Sequence, residues 1–186
     1  MIDKRKIEKA VSEILNAIGE NLRREGLRDT PRRVANMYEE IFSGVHKDPK
    51  RELKTYKTKN EDEMIIIKDI PFYSVCEHHL LPFFGKAHIV YIPKQNKITG
   101  FSSLVRVIEV MAKRPLLQER LTHEIADFLM ANLKPMGVLV IIEAEHLCLS
   151  MIGVKKPGTL TVTSAIRGAM RSAPTRAEAF SLIKGK

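Results

Sequence analysis

The stretch Cys76-Glu77-His78-His79-Leu80-Leu81-Pro82-Phe83-Phe84-Gly85 places a thiol and two imidazoles within four residues, directly before an apolar, turn-prone segment. Thiolate and imidazole suit a borderline-soft cation such as Zn2+, and a Cys-x-x-His spacing lets Cys76 and His79 reach one ion from a single turn. The flanks fit a hairpin. Met64 to Ile70 is a β-branched run that reads as a strand; Pro71 ends it, and Phe72 to Val75 lead into the cluster. Gly85 begins a second strand through Ile92, followed by a turn at Pro93 to Lys97. The two strands form an antiparallel pair with the Cys/His cluster in their connection.

The chain has 2 cysteines. The second, Cys148, lies in Glu143-Ala144-Glu145-His146-Leu147-Cys148, so a distant segment carries the same thiol-plus-imidazole chemistry. Cys76, His79 and Cys148 make three candidate ligands, with His78 and His146 beside them. Structural zinc usually closes a four-ligand tetrahedron, whereas catalytic zinc keeps a position open, so three ligands with spare imidazoles read as catalysis. Buried cysteines acting as small hydrophobes are the plainer alternative. A Cys76–Cys148 disulfide is disfavoured: the N-terminus does not read as a signal peptide, and cytosolic thiols stay reduced. His46, His88 and His123 stand alone and read as ordinary surface or packed residues.

With 44% hydrophobic and 28% charged residues, the 186-residue chain has the composition of a soluble, cytoplasmic globular protein. No apolar run approaches the roughly 20 residues that span a bilayer, so no membrane partner is expected. The net charge of +9 favours anionic partners. Aromatic content is 6% with no Trp, and no nucleic-acid module is recognisable, so a stacking platform for bases is poorly supported, and the basic balance alone does not choose among anions.

Residues 3–18 have the spacing of an amphipathic helix, capped by Asp3, with Ile7, Val11, Ile14, Leu15 and Ile18 on one stripe. Thr30-Pro31, a cap followed by proline, opens a second helix that Ser43-Gly44 closes. The lysine-rich stretch from His46 to Glu63 reads as a linker, which divides a helical region at 1–60 from a second unit at 61–186. In that unit, Gly100-Phe101-Ser102-Ser103 caps a helix with Leu104, Val107, Ile108 and Met111 inward. Pro115 separates it from a longer helix from Gln118 to Leu133. Val138 to Ala144 is an apolar strand that delivers His146 and Cys148. A loop at 155–158 precedes an alternating strand from Thr159 to Ile166, and Pro174 opens a terminal helix. The order β-β-α-α-β-β implies an α+β fold: an antiparallel sheet with helices on one face.

On these motifs the chain resembles the GTP cyclohydrolase I family, of the tunnelling fold (T-fold). Thr30-Pro31-Arg32-Arg33, Cys76-Glu77-His78-His79, Gly100-Phe101-Ser102, Gln118-Glu119-Arg120-Leu121-Thr122, His146-Leu147-Cys148 and Thr161-Val162-Thr163-Ser164 fall in the family's order over nearly the whole chain. The resemblance implies a zinc ion on Cys76, His79 and Cys148, and hydrolytic opening of a guanine ring at C8. The implied products are formate and 7,8-dihydroneopterin triphosphate, for tetrahydrofolate biosynthesis. It implies His146 and His78 as proton donors and acceptors, and Glu119 as the purine anchor assisted by Gln118 and Ser102. Arg33 and Arg106 are its phosphate contacts. It also implies a homodecameric ring with sites between subunits, in which Arg106 and the turn at 100–102 serve a neighbour.

The sequence departs from the family's phosphate grip. Ser103 stands where the family usually carries lysine, and Ile152 where it usually carries arginine; Asn36 also replaces a lysine found in several bacterial members. Lys155, Lys156 or Arg167 are nearby cations that could compensate. Each charge-assisted phosphate bond contributes roughly 1.5–3 kcal/mol, so two losses reach orders of magnitude in binding. Two alternatives to a GTP enzyme follow: a zinc-dependent purine-ring hydrolase for a substrate with fewer phosphates, and a non-catalytic zinc module.

Overall fold

The computed structural model describes residues 2–59 and 63–185. The expected division between 60 and 61 lies outside the described residues.

Helix α1 (Lys4–Ala17) begins where the Asp3 carboxylate accepts from the Lys6 amide, as the capping pattern requires. It packs against α2 (Thr30–Ile41), with Lys4 reaching Glu39 at 2.8 Å. Asp29 occupies the N-cap of α2, and Thr30 is its first helical residue, one position earlier than its Thr-Pro pair suggests. The hairpin docks through its end: the Gly44 amide donates to the Lys113 carbonyl, and a Cβ at Gly44 would collide with the backbone oxygen of Val110.

The stretch from His46 to Glu63 holds more structure than a linker. A 3-10 turn (Pro49–Glu52) leads into β1 (Thr55–Lys57), which pairs antiparallel with β4 (Lys97–Thr99). Three exposed residues carry no periodicity, so only the partner strand makes β1 visible.

The main sheet contains β2 (Ile65–Cys76), β3 (Pro82–Ile92), β5 (Pro115–Leu116), β6 (Gly137–His146) and β7 (Leu160–Gly168), in the order β5-β2-β3-β6-β7. Every pairing is antiparallel except the short parallel contact of β5 with Val75 and Cys76. β2 continues through Pro71, where the sequence suggests a stop. Because β5 covers only its last two residues, β2 has an open edge at Pro71 among the described strands, a position where a strand tolerates proline.

Helices α3 (Phe101–Ala112) and α4 (Gln118–Asn132) cover one sheet face. Alternate residues of β3 and β6, including Phe83, Ala87, Ile89 and Val140, meet Leu104, Ile108, Leu121 and Ile125 there, all fully buried. Each large apolar side chain taken from water contributes about 1.5–3 kcal/mol. The other alternation, Val90, Leu139 and Ile141, meets the terminal helix α6 (Ala173–Lys184) on the opposite face. No helix among the described residues is long and apolar enough to cross a membrane.

A bulge between Ile67 and Ile70 places Asp69 at φ 59°. Its carboxylate meets Lys86 at 2.9 Å, and its amide donates to Nδ1 of buried His88, whose Nε2 has no partner among the described residues. Burial pushes the His88 imidazole below its ordinary value. The unfolded chain therefore takes up a proton first as pH falls, and stability is lost downward from about pH 6.5. The urea midpoint should fall between pH 7.5 and pH 5.5, and His88→Asn, which keeps an acceptor for Asp69, should flatten that fall; an unchanged slope would remove His88 as its source.

At the other end of β3, a Cβ on Gly85 would collide with the Glu143 backbone oxygen of the paired strand. Gly85→Ala should destabilise by about 1–3 kcal/mol and lower Tm by roughly 2–12 °C in a thermal melt.

Candidate metal centre

The hairpin connection between β2 and β3 is a tight loop. Its ends are tied by the Cys76 amide donating to the Leu81 carbonyl at 2.9 Å, and Leu80 turns back at φ 54° with its amide on the Cys76 carbonyl. His78 and His79 project from this loop, exposed, with ring centroids 6.2 Å apart. Glu77 is held by Arg120 of α4 at 3.4 Å. Cys76 ends β2 in the core, 5% exposed.

The second thiol arrives from β6. His146 is the last strand residue, and Cys148 sits in the four-residue helix α5 (Leu147–Ser150) that follows at once. Because β3 pairs with both β2 and β6, with Val75 opposite Pro82 and Phe83 opposite His146, the two cysteine segments finish at one end of the sheet. The ligand atoms of Cys76, His79 and Cys148 all lie within 4.8 Å of one another. Both cysteines are free thiols. Burial pushes the Cys148 thiol up, and the charge of neighbouring Cys76 pushes it further. Two thiolates this close repel each other, and a cation between them and an imidazole removes that cost, so the donor set fits a soft or borderline divalent metal.

His146 stacks flat on Phe83, with centroids 4.6 Å apart and an interplanar angle of 1°. Its Nε2 lies 2.6 Å from the Gln118 side-chain oxygen. Burial pushes its imidazole below the ordinary value, and the Glu119 carboxylate pulls the other way, so Glu119 lies within electrostatic reach. Glu119 is exposed in the first turn of α4.

Gln118, expected at the substrate, is instead 1% exposed, and its amide hydrogens are spent inside the chain. Ser102 is exposed at the start of α3, and Ala112 at that helix's other end lies against Ser74 of β2. At 1.5 Å per residue, Ser102 is therefore about 15 Å from the cluster's end of α3, and Arg106 about 9 Å. The structure does not bring these two to the cluster of their own chain. Arg106 is paired with Glu52 at 3.0 Å, and Arg33 is exposed on α2.

Ser103 is buried, with its hydroxyl near the Lys54 amide and the Arg106 guanidinium. Ile152 is 38% exposed. A cleft of about 590 Å³ lies between α2, β2 and α3, but no cluster ligand lines it.

Sequence reasoning missed Glu145. One of its carboxylate oxygens accepts from Ser150 Oγ at 2.7 Å and from the Gly158 amide at 2.9 Å, which holds its pKa below the usual range. A lone Glu at a strand end carries no signal for such a clamp.

An α+β chain with a Cys-His-Cys donor cluster and an oriented imidazole at one sheet end has the donor set of a metal-site protein. The family model described as GTP cyclohydrolase I matches residues 7–184. The chain is 63% identical over 187 residues to "GTP cyclohydrolase 1" of Pelotomaculum thermopropionicum, covering 100% of both chains. It is 61% identical to the protein of that name from Carboxydothermus hydrogenoformans, over 98% of this chain and 96% of the relative. With the one from Halalkalibacterium halodurans it shares 57%, over 99% and 98%. The chain belongs to the GTP cyclohydrolase I family.

Replacing Glu145 with Ala should loosen residues 151–159, read as faster hydrogen exchange at the Gly158 amide; unchanged exchange would show that the carboxylate does not hold this segment.

Proposed function

We propose that this chain opens the imidazole ring of GTP at C8 by hydrolysis, releasing formate and yielding 7,8-dihydroneopterin triphosphate. The observation that carries this reading is the convergence of Cys76, His79 and Cys148 beside His146, in a member of this family. Cys76, His79 and Cys148 would hold Zn2+. When bound, zinc supplies Lewis-acid chemistry that lowers the pKa of a water from about 15.7 to about 7, making a nucleophile available at neutral pH.

The remaining work falls to side chains. His146, kept largely neutral by burial, accepts and returns a proton at the purine N7 and the opening ring. His78, exposed in the same loop as His79, is the second proton-exchanging group. Glu119 accepts hydrogen bonds from guanine N1 and its exocyclic amine. Adenine lacks that donor pair and would leave the carboxylate unpaired.

The position of Ser102 and Arg106 supports a site completed by a second copy. Those residues, with Arg33, would grip the phosphates of a substrate whose base lies at a neighbour's cluster. This fits a homo-oligomer, for which the family resemblance implies a decameric ring. In this reading residues 1–60 are a helical extension and 61–186 the catalytic T-fold unit.

A second reading is favoured by one observation: Arg106 is already paired with Glu52, while Ser103 and Ile152 offer no cation. Such a grip suits a substrate with fewer phosphates. Formate release from zinc-loaded protein on GTP, GDP, GMP and guanosine decides between them; preference for GTP is expected, and preference for GMP or guanosine would overturn the triphosphate assignment. Chelation should abolish turnover and added zinc restore it. His146→Ala should retain zinc and lose about 10²–10⁴-fold in kcat. Unchanged turnover would remove the acid–base assignment.

A further inference from the structure

Gln118 is a buried polar side chain beside the cluster whose hydrogen bonds can be assigned atom by atom. Its side-chain nitrogen lies 3.0 Å from each of three oxygens: the carbonyls of Ile142 and Thr161, and Thr163 Oγ1. Carbonyl oxygens only accept, so the amide cannot be turned around: the NH2 must face β6 and β7. The neighbouring hydroxyls agree. Thr122 Oγ1 donates to the Gln118 backbone carbonyl at 2.7 Å, which leaves it to accept from Thr163 across 2.6 Å. Thr163 Oγ1 then keeps a lone pair for the amide. The two hydroxyl protons thus have one consistent arrangement, and the two amide hydrogens are shared among three acceptors.

With the NH2 fixed, Oε1 is the atom that faces His146, and an oxygen at 2.6 Å from a ring nitrogen requires that nitrogen to donate. His146 therefore carries its hydrogen on Nε2 in both its neutral and its charged form. Flat stacking on Phe83 holds the ring plane. Nδ1 makes no hydrogen bond among the described residues, and it is not among their buried, unpartnered atoms.

We infer that Gln118 is a positioning residue: by holding His146 as the Nε2–H tautomer through Ile142, Thr161 and Thr163, it makes Nδ1 the atom at which His146 exchanges protons with substrate. This rests on the acid–base reading of His146 above. It replaces the direct substrate contact expected of Gln118, because a side chain 1% exposed, with its NH2 donating inside the chain and its oxygen on His146, is not presented to a purine. The device works as the outer partners of catalytic imidazoles do: the far nitrogen is tied down so that the near one is presented in a single state.

A double-mutant cycle on zinc-loaded protein tests the catalytic half of the proposal. Gln118→Met should lower kcat by roughly 10–100-fold with KM within about twofold. In a His146→Ala background, measured by single turnover, Gln118→Met should cost nothing further, since it acts through the ring already removed. A raised KM with unchanged kcat would assign Gln118 to substrate binding, and an equal loss in both backgrounds would assign it to structure; either overturns the proposal. Thr163→Val, which leaves the two carbonyl acceptors in place, gives a milder variant should Gln118→Met fail to fold. It should lower kcat less, and only where His146 is present.

The tautomer itself is read without turnover. In ring-15N-histidine protein at a pH where the ring is neutral, the His146 signal, identified by its loss in His146→Ala, should show a protonated Nε2 and a bare Nδ1. The reverse assignment overturns the proposal even in an active enzyme. A chain that leaves GTP unchanged but shows the Nε2–H form would instead sink the function proposed above and leave the positioning intact.

Discussion

The register of β3 between its two neighbours governs everything at the metal end of the molecule. Strand β3 pairs with β2 on one side and β6 on the other, with Val75 opposite Pro82 and Phe83 opposite His146. A slip of one residue on either side would turn the Phe83, Ala87 and Ile89 face out of the core and move one thiol away from the other. Two things lock it. The alternating apolar face is buried under α3 and α4, and Gly85 allows the β6 backbone to approach closer than any side chain would permit.

From that register follows a division of labour along the sheet. Toward Ile92 and Gly137 both faces are covered, by α3 and α4 on one side and α6 on the other, and the apolar residues there serve cohesion. Toward Cys76 and His146 the cover on the α6 side stops, and the uncovered face carries Tyr73, Phe84, Lys86 and Glu145. The bulge at Asp69 and the His88 hydrogen bond lie between these zones. The polar zone is held by side chains that spend their hydrogen bonds on backbone: Ser74 on Ala112, Gln118 on Ile142 and Thr161, and Glu145 on Gly158. Such contacts orient groups that have little apolar area to hold them.

Much of this was legible in the sequence because the signals were local. The thiol and imidazoles at 76–79 and 146–148, the α-helical spacing of Leu104 to Met111 and the β-branched run at 64–70 each announce themselves within a few residues. What escaped reading had partners far away. Strand β1 exists because Lys97–Thr99 lies beside it; Pro71 sits in a strand because that stretch is an edge. Gln118 looked like the polar start of a helix facing a ligand, and its burial depends on Thr163, 45 residues later.

By itself, the sequence determined the chemistry on offer: which atoms can bind a soft cation, which can move protons, the order of the four long strands and the two helices between them, and the absence of cations at Ser103 and Ile152. Periodicity and ligand type are properties of neighbouring residues, so they survive without coordinates. Tertiary structure alone decided which of these groups meet. It brought Cys148 to Cys76 and His79 through strand pairing, turned Gln118 from the solvent to the back of His146, and left Ser102 at the far end of α3. Distance across a fold is set by packing and register, and no residue carries that information alone.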